Sequence, residues 1–432
     1  MVRPTIVIVG GGFAGFHAAR RLARRARGAA DVVLINPTDY FLYLPLLPEV
    51  AGGVLDPRRV AVPLVDTLPG VRVVVGEVDG LDVDGRSVSY TDSEGRRGRL
   101  AYHRLVLAAG SVNKLLPIPG VADHAHGFRG IPEALHLRER LIQQIELADA
   151  ADDPAEREAR CTFVVVGAGY TGTEVAAQGQ LFTDEIARRH PRLGGVRPRW
   201  LLLDTADRVL PGLADRMSRE AGRVLRERGV EVCLGTSVGE ATADGVRLSD
   251  GRFVPSRTLV WCVGVRPDPL VEATELPVTK GRITVDEYLA VPGHPEILAC
   301  GDAAAVPDPS RPGEITPMTA QHAVRQGRLA ADNIAASYGV GRRRPYRHRD
   351  LGFVVDLGGW QATANPLHVP LSGPPARAVA LGYHLLSLPA NRARTVADWL
   401  FTATGTRPAV QLGLVPGEAV PLDTAAPELI RR

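Results

Sequence analysis

The sequence predicts an α/β protein in which one βαβ module is inserted within another, followed by a smaller α+β region at the C-terminus. Three observations predict it. The spacing Gly-x-Gly-x-x-Gly occurs twice, each time straight after a short β-branched apolar run and before an alanine-rich stretch of helical periodicity. Each copy is followed by a second apolar run, VVLIN (32–36) and WLLLD (200–204). A further pair of strand-like runs, LVLAAGS (105–111) and LVWCVGVRP (259–267), ends each module on a glycine.

The first module opens with TIVIV (5–9), an uninterrupted apolar run of the kind a buried parallel strand needs. Gly10, Gly12 and Gly15 follow. In this spacing the first glycine permits the tight turn, the second lets backbone approach a pyrophosphate, and the third lets helix and strand pack closely. Phe13 and Ala14 then open a helix whose N-terminal amides favour phosphate. The second module repeats the pattern, with TFVVV (162–166), then Gly167, Gly169 and Gly172, and with Tyr170 and Thr171 at the helix start. Two copies in the same strand–turn–helix context mark two Rossmann-like dinucleotide sites. Ala109, Gly110 and Gly264 are the strand-end positions that would approach each ligand. After the second module comes EILACGDAAAV (296–306), in which Asp302, following Gly301, is placed to accept a hydrogen bond from a ribitol hydroxyl. One dinucleotide domain is therefore split around the other, with expected boundaries at 1–120, 121–287, 288–340 and 341–432.

The composition narrows the classes of function. The 432 residues are 45% hydrophobic and 23% charged, ordinary for a globular protein. The net charge of +3 is too weak to argue for nucleic acid. Cys161, Cys233, Cys262 and Cys300 form no CxxC pair, so neither a zinc site nor a redox dithiol is expected, and no metal ligand set stands out. A strand begins at Thr5, so no signal peptide is expected, and no apolar run reaches the length of a spanning helix.

The end of the second strand sets ribose recognition. Asp204 is a carboxylate that can bind a 2′-hydroxyl and would repel a 2′-phosphate, which favours a dinucleotide without that phosphate, although Arg208 lies close enough in sequence to keep the phosphorylated form open. Asn36 holds the same station in the first module and can still hydrogen-bond hydroxyls.

Taken together the motifs resemble those of the two-dinucleotide-binding-domain flavoproteins. That resemblance implies FAD in the first module and a nicotinamide nucleotide in the inserted one. Within that group, NPTDYFLYLPLLPEVAGG (36–53), AAGSVNKLLPIPG (108–120), GAGYTGTEVA (167–176), GVRPDPLV (264–271) and TAQHAVRQG (319–327) are similar to segments of type II NADH dehydrogenases, the single-chain NADH:quinone oxidoreductases. The first of these segments is read as a loop covering an apolar cofactor. The resemblance implies electron transfer from NADH through FAD to a membrane quinone without proton pumping. It also implies nucleotide-binding or proton-handling work for Glu174, two residues past the third glycine.

In quinone-reducing relatives the last motif reads AQxAxQ. Here Ala320, Gln321 and Ala323 match, whereas Arg325 stands in place of the second glutamine and Gln326 is one step further on. Thr316–Pro317 is read as the N-cap of this helix, aiming its N-terminus at the flavin. Ala320, Gln321 and Arg325 are the residues expected to face cofactor or quinone. Two other classes stay open: a soluble reductase with ferredoxin or another non-quinone acceptor, and a non-catalytic redox-sensing flavoprotein.

Beyond GRRRPYRHR (341–349), read as a basic linker, GFVVDLGGWQATANPLHVPLSG is expected to form a strand or a hairpin with glycine turns. The stretch 376–403 is expected to form two helices broken at Pro389, with Val379, Tyr383 and Leu386 on one face. Such a segment suits a membrane interface, or packing against the body or a second subunit in a homodimer. The resemblance favours the membrane, which implies a cytoplasmic protein peripheral on the inner face of the cell membrane.

Overall fold

The computed structural model describes residues 3–422. The chain forms two compact units. The first comprises residues up to Leu42, Ala61–Val112 and Val265–Arg349; the second comprises Tyr43–Val60, Asn113–Gly264 and the chain from Asp350 onward. The segment 43–60 and the C-terminal region thus group with the second glycine module. Residues 423–432 of the expected C-terminal region lie outside the described residues.

In the first unit the strand Thr5–Val9 runs parallel to Asp31–Asn36 on one side and to Arg104–Leu107 on the other. Val71–Asp82 and His294–Ala299 extend the parallel set, and antiparallel strands complete an eight-stranded sheet. Ile6, Val7, Ile8, Leu34 and Val106 are all but inaccessible, as a sheet covered on both faces requires. Each such side chain contributes roughly 1.5–3 kcal/mol by leaving water. The helices Phe13–Arg25 and Ala320–Ala336 pack against each other so closely that a Cβ on Gly327 would lie 2.0 Å from the Ala14 carbonyl oxygen.

The second unit has a five-stranded all-parallel sheet in the order Ala125–Gly127, Thr258–Trp261, Thr162–Val166, Arg199–Asp204, Val230–Leu234. Val164, Val166, Leu201, Leu203 and Trp261 fill one side of it. The expected hairpin is a three-stranded antiparallel sheet, Val354–Asp356, Ala362–Ala364 and Leu371–Ser372. The two expected helices follow, Gly373–Ser387 and Arg392–Thr404.

Three local expectations are corrected. The segment 36–53 is not one covering loop. It holds a strand at Tyr40–Leu42 and a short helix at Leu47–Ala51 whose residues are all buried, packed against the helix Tyr170–Ala187. The stretch 341–349 is no free linker. Tyr346 is buried, its N–H donates to the Glu287 carbonyl at 2.7 Å, and its hydroxyl bonds His322 Nδ1 at 2.8 Å. On the first C-terminal helix the expected apolar face divides: Val379 packs against Ala364, Ala376 and their neighbours, while Tyr383 and Leu386 stay exposed.

Candidate functional site

Both glycine loops are built alike. A Cβ on Gly15 would lie 1.8 Å from the Gly10 carbonyl oxygen, and one on Gly172 would lie 1.8 Å from that of Gly167. Only glycine lets helix and strand come that close. The middle glycines differ: a Cβ on Gly12 or Gly169 would meet no protein atom within 4 Å. The helices that follow, from Phe13 and from Tyr170, have no side-chain cap and no acidic residue in the first turn. An open glycine leading into an uncapped helix N-terminus is a cradle that a pyrophosphate fits. Gly110 and Gly264, at the strand ends, likewise face space empty of protein. The residues of both modules therefore suit dinucleotides.

The end of the second strand locks each loop by the same bond. Gly11 N–H donates to Asn36 Oδ1 at 2.6 Å, and Ala168 N–H donates to Asp204 Oδ2 at 2.5 Å. Asn36 Nδ2 donates in turn to the Thr38 carbonyl, at 2.9 Å. Asp204 Oδ1 accepts from Ala206 N–H at 2.8 Å. Arg208 is drawn away into an ion pair with Asp215 and a bond to the Pro211 carbonyl.

Gly301 and Asp302 form a tight turn held from several sides. Ser111 Oγ donates to Asp302 at 2.7 Å. Gln326, fully buried, accepts from Gly301 N–H at 2.8 Å and donates to Thr316 Oγ1 at 3.0 Å. Arg282 binds the Thr316 carbonyl at 2.7 Å. Thr316 is thus consumed in supporting this turn and does not cap the helix. The helix starts at Ala320, and Thr319 is its N-cap. Gln326 is committed in the same way, so it cannot stand in for the second glutamine of the AQxAxQ pattern. Arg325 extends along the helix, donating to Gln321 Oε1 at 3.2 Å and to the Arg349 carbonyl at 2.7 Å.

A cluster of buried charge occupies the second unit. Glu49, from the short helix Leu47–Ala51, is 2% exposed. Arg377 donates to its Oε1 at 3.0 Å, and Trp399 Nε1 donates to its Oε2 at 2.6 Å. Arg377 also pairs with Asp356. The Asp356 N–H donates to Glu174 Oε1 at 2.9 Å. Burial pushes the Glu49 carboxyl up to about 7, against the pull of Arg377 and with the help of Asp356. Burial also raises Glu174 well above the ordinary carboxylate range; Asp356 and Glu49 add to this as like charges. Behind them His384, hydrogen-bonded to the Tyr43 hydroxyl at 3.2 Å, is held down at about 4 by burial. Glu174 lies beyond the first helical turn, so its neighbours rather than the helix dipole set its character. These surroundings favour the protonated forms of Glu49 and Glu174.

Sequence reasoning found Glu174 but missed Glu49, Asp356 and Arg377. Each carried a legible signal, a single charge embedded in an apolar run: LLPEVA, FVVDLG and PARAVAL. All four cysteines are unpaired, and burial pushes Cys161 up to about 11 and Cys262 and Cys300 up to about 12.

Residues 4–327 match the pyridine nucleotide-disulphide oxidoreductase family. The type II NADH:quinone oxidoreductase Ndh of Mycobacterium tuberculosis is 31% identical over 423 residues, covering 94% of this chain and 89% of the relative. This chain belongs to the type II NADH:quinone oxidoreductases. A second relative from that organism, NdhA, is 32% identical over 414 residues, covering 91% of this chain and 86% of its own. Among solved structures, NDH2 from Plasmodium falciparum in complex with NADH has a TM-score of 0.85. It covers 94% of this chain and 100% of its own, at 18% identity, so it shares the fold. As a member of this family the enzyme is a flavoprotein that uses FAD and NADH.

Proposed function

We propose that the protein oxidises NADH and reduces a membrane quinone, with Glu174 and its buried partners supplying the proton that the reaction consumes. The observation that carries the reading is the pair of cradles: two open glycines, Gly12 and Gly169, each leading into an uncapped helix. When bound, FAD accepts a hydride from NADH and hands two electrons on to the quinone. In the balance NADH + H⁺ + quinone → NAD⁺ + quinol, one proton comes from outside the nicotinamide. A buried carboxyl raised above its ordinary range is suited to hold it; burial raises Glu174 well above that range and Glu49 to about 7. Asp204 supports a preference for NADH, and Ser111 presents Asp302 toward a ribitol hydroxyl. Gln321 and Arg325 are assigned to the quinone headgroup, where a guanidinium stabilises an anionic quinol oxygen better than an amide does.

The enzyme is also proposed to lie on a membrane surface. Among the described residues no helix is long and apolar enough to cross a bilayer. The two C-terminal helices nevertheless expose Tyr383, Leu386, Leu400 and Phe401, large apolar side chains that an interface would cover.

The test is steady-state oxidation of NADH and NADPH by the purified holoenzyme, with menadione, short-chain ubiquinone and ferredoxin as acceptors. The expected result is bound flavin, preference for NADH, and quinone turnover well above that with ferredoxin. Purified protein without flavin absorbance, or turnover with ferredoxin alone, overturns the reading. Glu174→Gln should slow quinone reduction and flatten its pH profile, while flavin reduction by NADH in single turnover stays near wild type.

A further inference from the structure

The far half of the first glycine helix, Phe13–Arg25, carries features that the redox reaction does not use. A cavity of about 390 Å³ opens there, lined by His17, Arg20, Arg21, Arg24, Arg25 and Arg328. Its walls are two helices of one unit, Phe13–Arg25 and Ala320–Ala336. Five arginine side chains therefore line one concavity. The carboxylate bound to them is Asp332, which pairs with Arg21 at 2.6 Å and Arg25 at 3.2 Å. Five positive charges less one negative leave a net +4 at this spot.

Arginines elsewhere in the chain are commonly neutralised. Arg223, for example, pairs with both Glu220 and Glu227, and Arg257 with Glu156 and Asp244. By contrast, Arg20, Arg24 and Arg328 have no hydrogen-bond or ion-pair partner among the described residues. Like charges crowd together at a cost, and the crowding is felt: burial first, then Arg21, Arg20 and Arg325, lower the Arg328 guanidinium. His17 in the cavity wall is held at about 3 by burial and by Arg328 and Arg20, so it is a neutral imidazole at neutral pH. Its ring is fixed edge-on against Phe16 and Phe41.

We infer that this cavity binds a phosphate-bearing anion with two or more negative charges. Forked guanidinium groups recognise phosphate oxygens bidentately, and several around one concavity define a polyanion site. The cavity is separate from the pyrophosphate cradle. Arg20 and Arg24 lie eight and twelve residues beyond Gly12, about 12 and 18 Å along the helix. The room exceeds a single inorganic phosphate and suits a phosphate attached to a larger group. That chemistry is shared by a phospholipid headgroup and by a soluble polyphosphate.

The experiment compares FAD-loaded wild type with the double variant Arg24→Gln/Arg328→Gln. One arm titrates inorganic pyrophosphate and follows melting temperature and heat of binding. The other measures co-sedimentation with vesicles of phosphatidylcholine alone and of phosphatidylcholine with phosphatidylglycerol and cardiolipin. NADH oxidation with a soluble quinone, unchanged in the variant, certifies that it is folded. Pyrophosphate binding weakened at least tenfold in the variant supports the site with a soluble ligand. Unchanged pyrophosphate behaviour, with binding to anionic but not neutral vesicles weakened at least tenfold, supports it with a lipid headgroup. Wild type and variant behaving alike in both arms overturns it and leaves a solvated arginine cluster.

Discussion

Arg377 and Glu49 meet at 3.0 Å in the interior of the second unit, with Asp356 on the other side of the same guanidinium. One cation therefore holds two buried carboxylates. Removing one member of a buried pair strands the other, which costs roughly 3–5 kcal/mol. Arg377→Met should lower stability by about that amount in urea denaturation, with Arg377→Lys milder. Above about pH 7, adding Glu49→Gln to Arg377→Met should recover part of the loss, because Glu49 would otherwise have to bury a charge or take up a proton to avoid it. A double variant less stable at that pH than Arg377→Met alone contradicts the arrangement.

The raised Glu49 carboxyl links stability to pH. Its folded value, about 7, exceeds the ordinary 4.5, so the fold favours the protonated form. Its contribution is present in full below the ordinary value and is lost as pH rises through about 7. Between those limits it should lower the unfolding free energy by at most about 1.4 kcal/mol per pH unit. In Glu49→Gln that component of the slope should vanish. Identical slopes for wild type and variant from pH 4.5 to 7 would show that Glu49 does not hold the proton.

Gly12 and Gly15 should respond oppositely to the same added methyl group. In Gly15→Ala the new Cβ collides with the Gly10 carbonyl, so the loop must deform and the apoprotein should lose stability. In Gly12→Ala nothing of the protein is struck, so the apoprotein should melt like wild type. FAD, however, should bind at least tenfold more weakly, a loss of about 1.4 kcal/mol or more. Equal FAD affinity for Gly12→Ala and wild type would remove Gly12 from the cradle.

Arg325 and Gln326 are adjacent yet should give distinct phenotypes. Gln326→Leu leaves Gly301 N–H without its acceptor, a penalty of about 1–3 kcal/mol, and should release FAD on dilution. Arg325→Gln should retain FAD and reduction by NADH, while the KM for quinone changes by about threefold or more, near 0.7 kcal/mol. Loss of both half-reactions to the same degree in Arg325→Gln would reject its assignment to the quinone.

What was legible in the sequence was local. Gly10 to Gly15 and Gly167 to Gly172 act within one strand–turn–helix unit, so their spacing carries their geometry. Gly301–Asp302 was legible for the same reason. The charge cluster was legible only as separate charges in apolar runs; that they meet was not, because Glu49 and Arg377 stand 328 positions apart and no periodicity connects them. The start of the helix at Ala320 was misplaced for a related reason. Thr316 and Pro317 look like a cap and first turn, but buried Thr316 bonds Gln326 ten residues on, and that tertiary contact overrides the local signal.

Asn36 and Asp204 close their loops with the same bond, yet one is neutral and the other charged. On the proposed assignment, the first loop serves a lodger and the second a stream of visitors. A nucleotide that stays through countless turnovers is selected once, during assembly, and needs only a grip. One that arrives and leaves with every cycle has to be told apart each time from a twin bearing an extra phosphate, and only a fixed negative charge refuses that twin at a distance. A single oxygen-for-nitrogen difference at equivalent stations thus separates retention from discrimination.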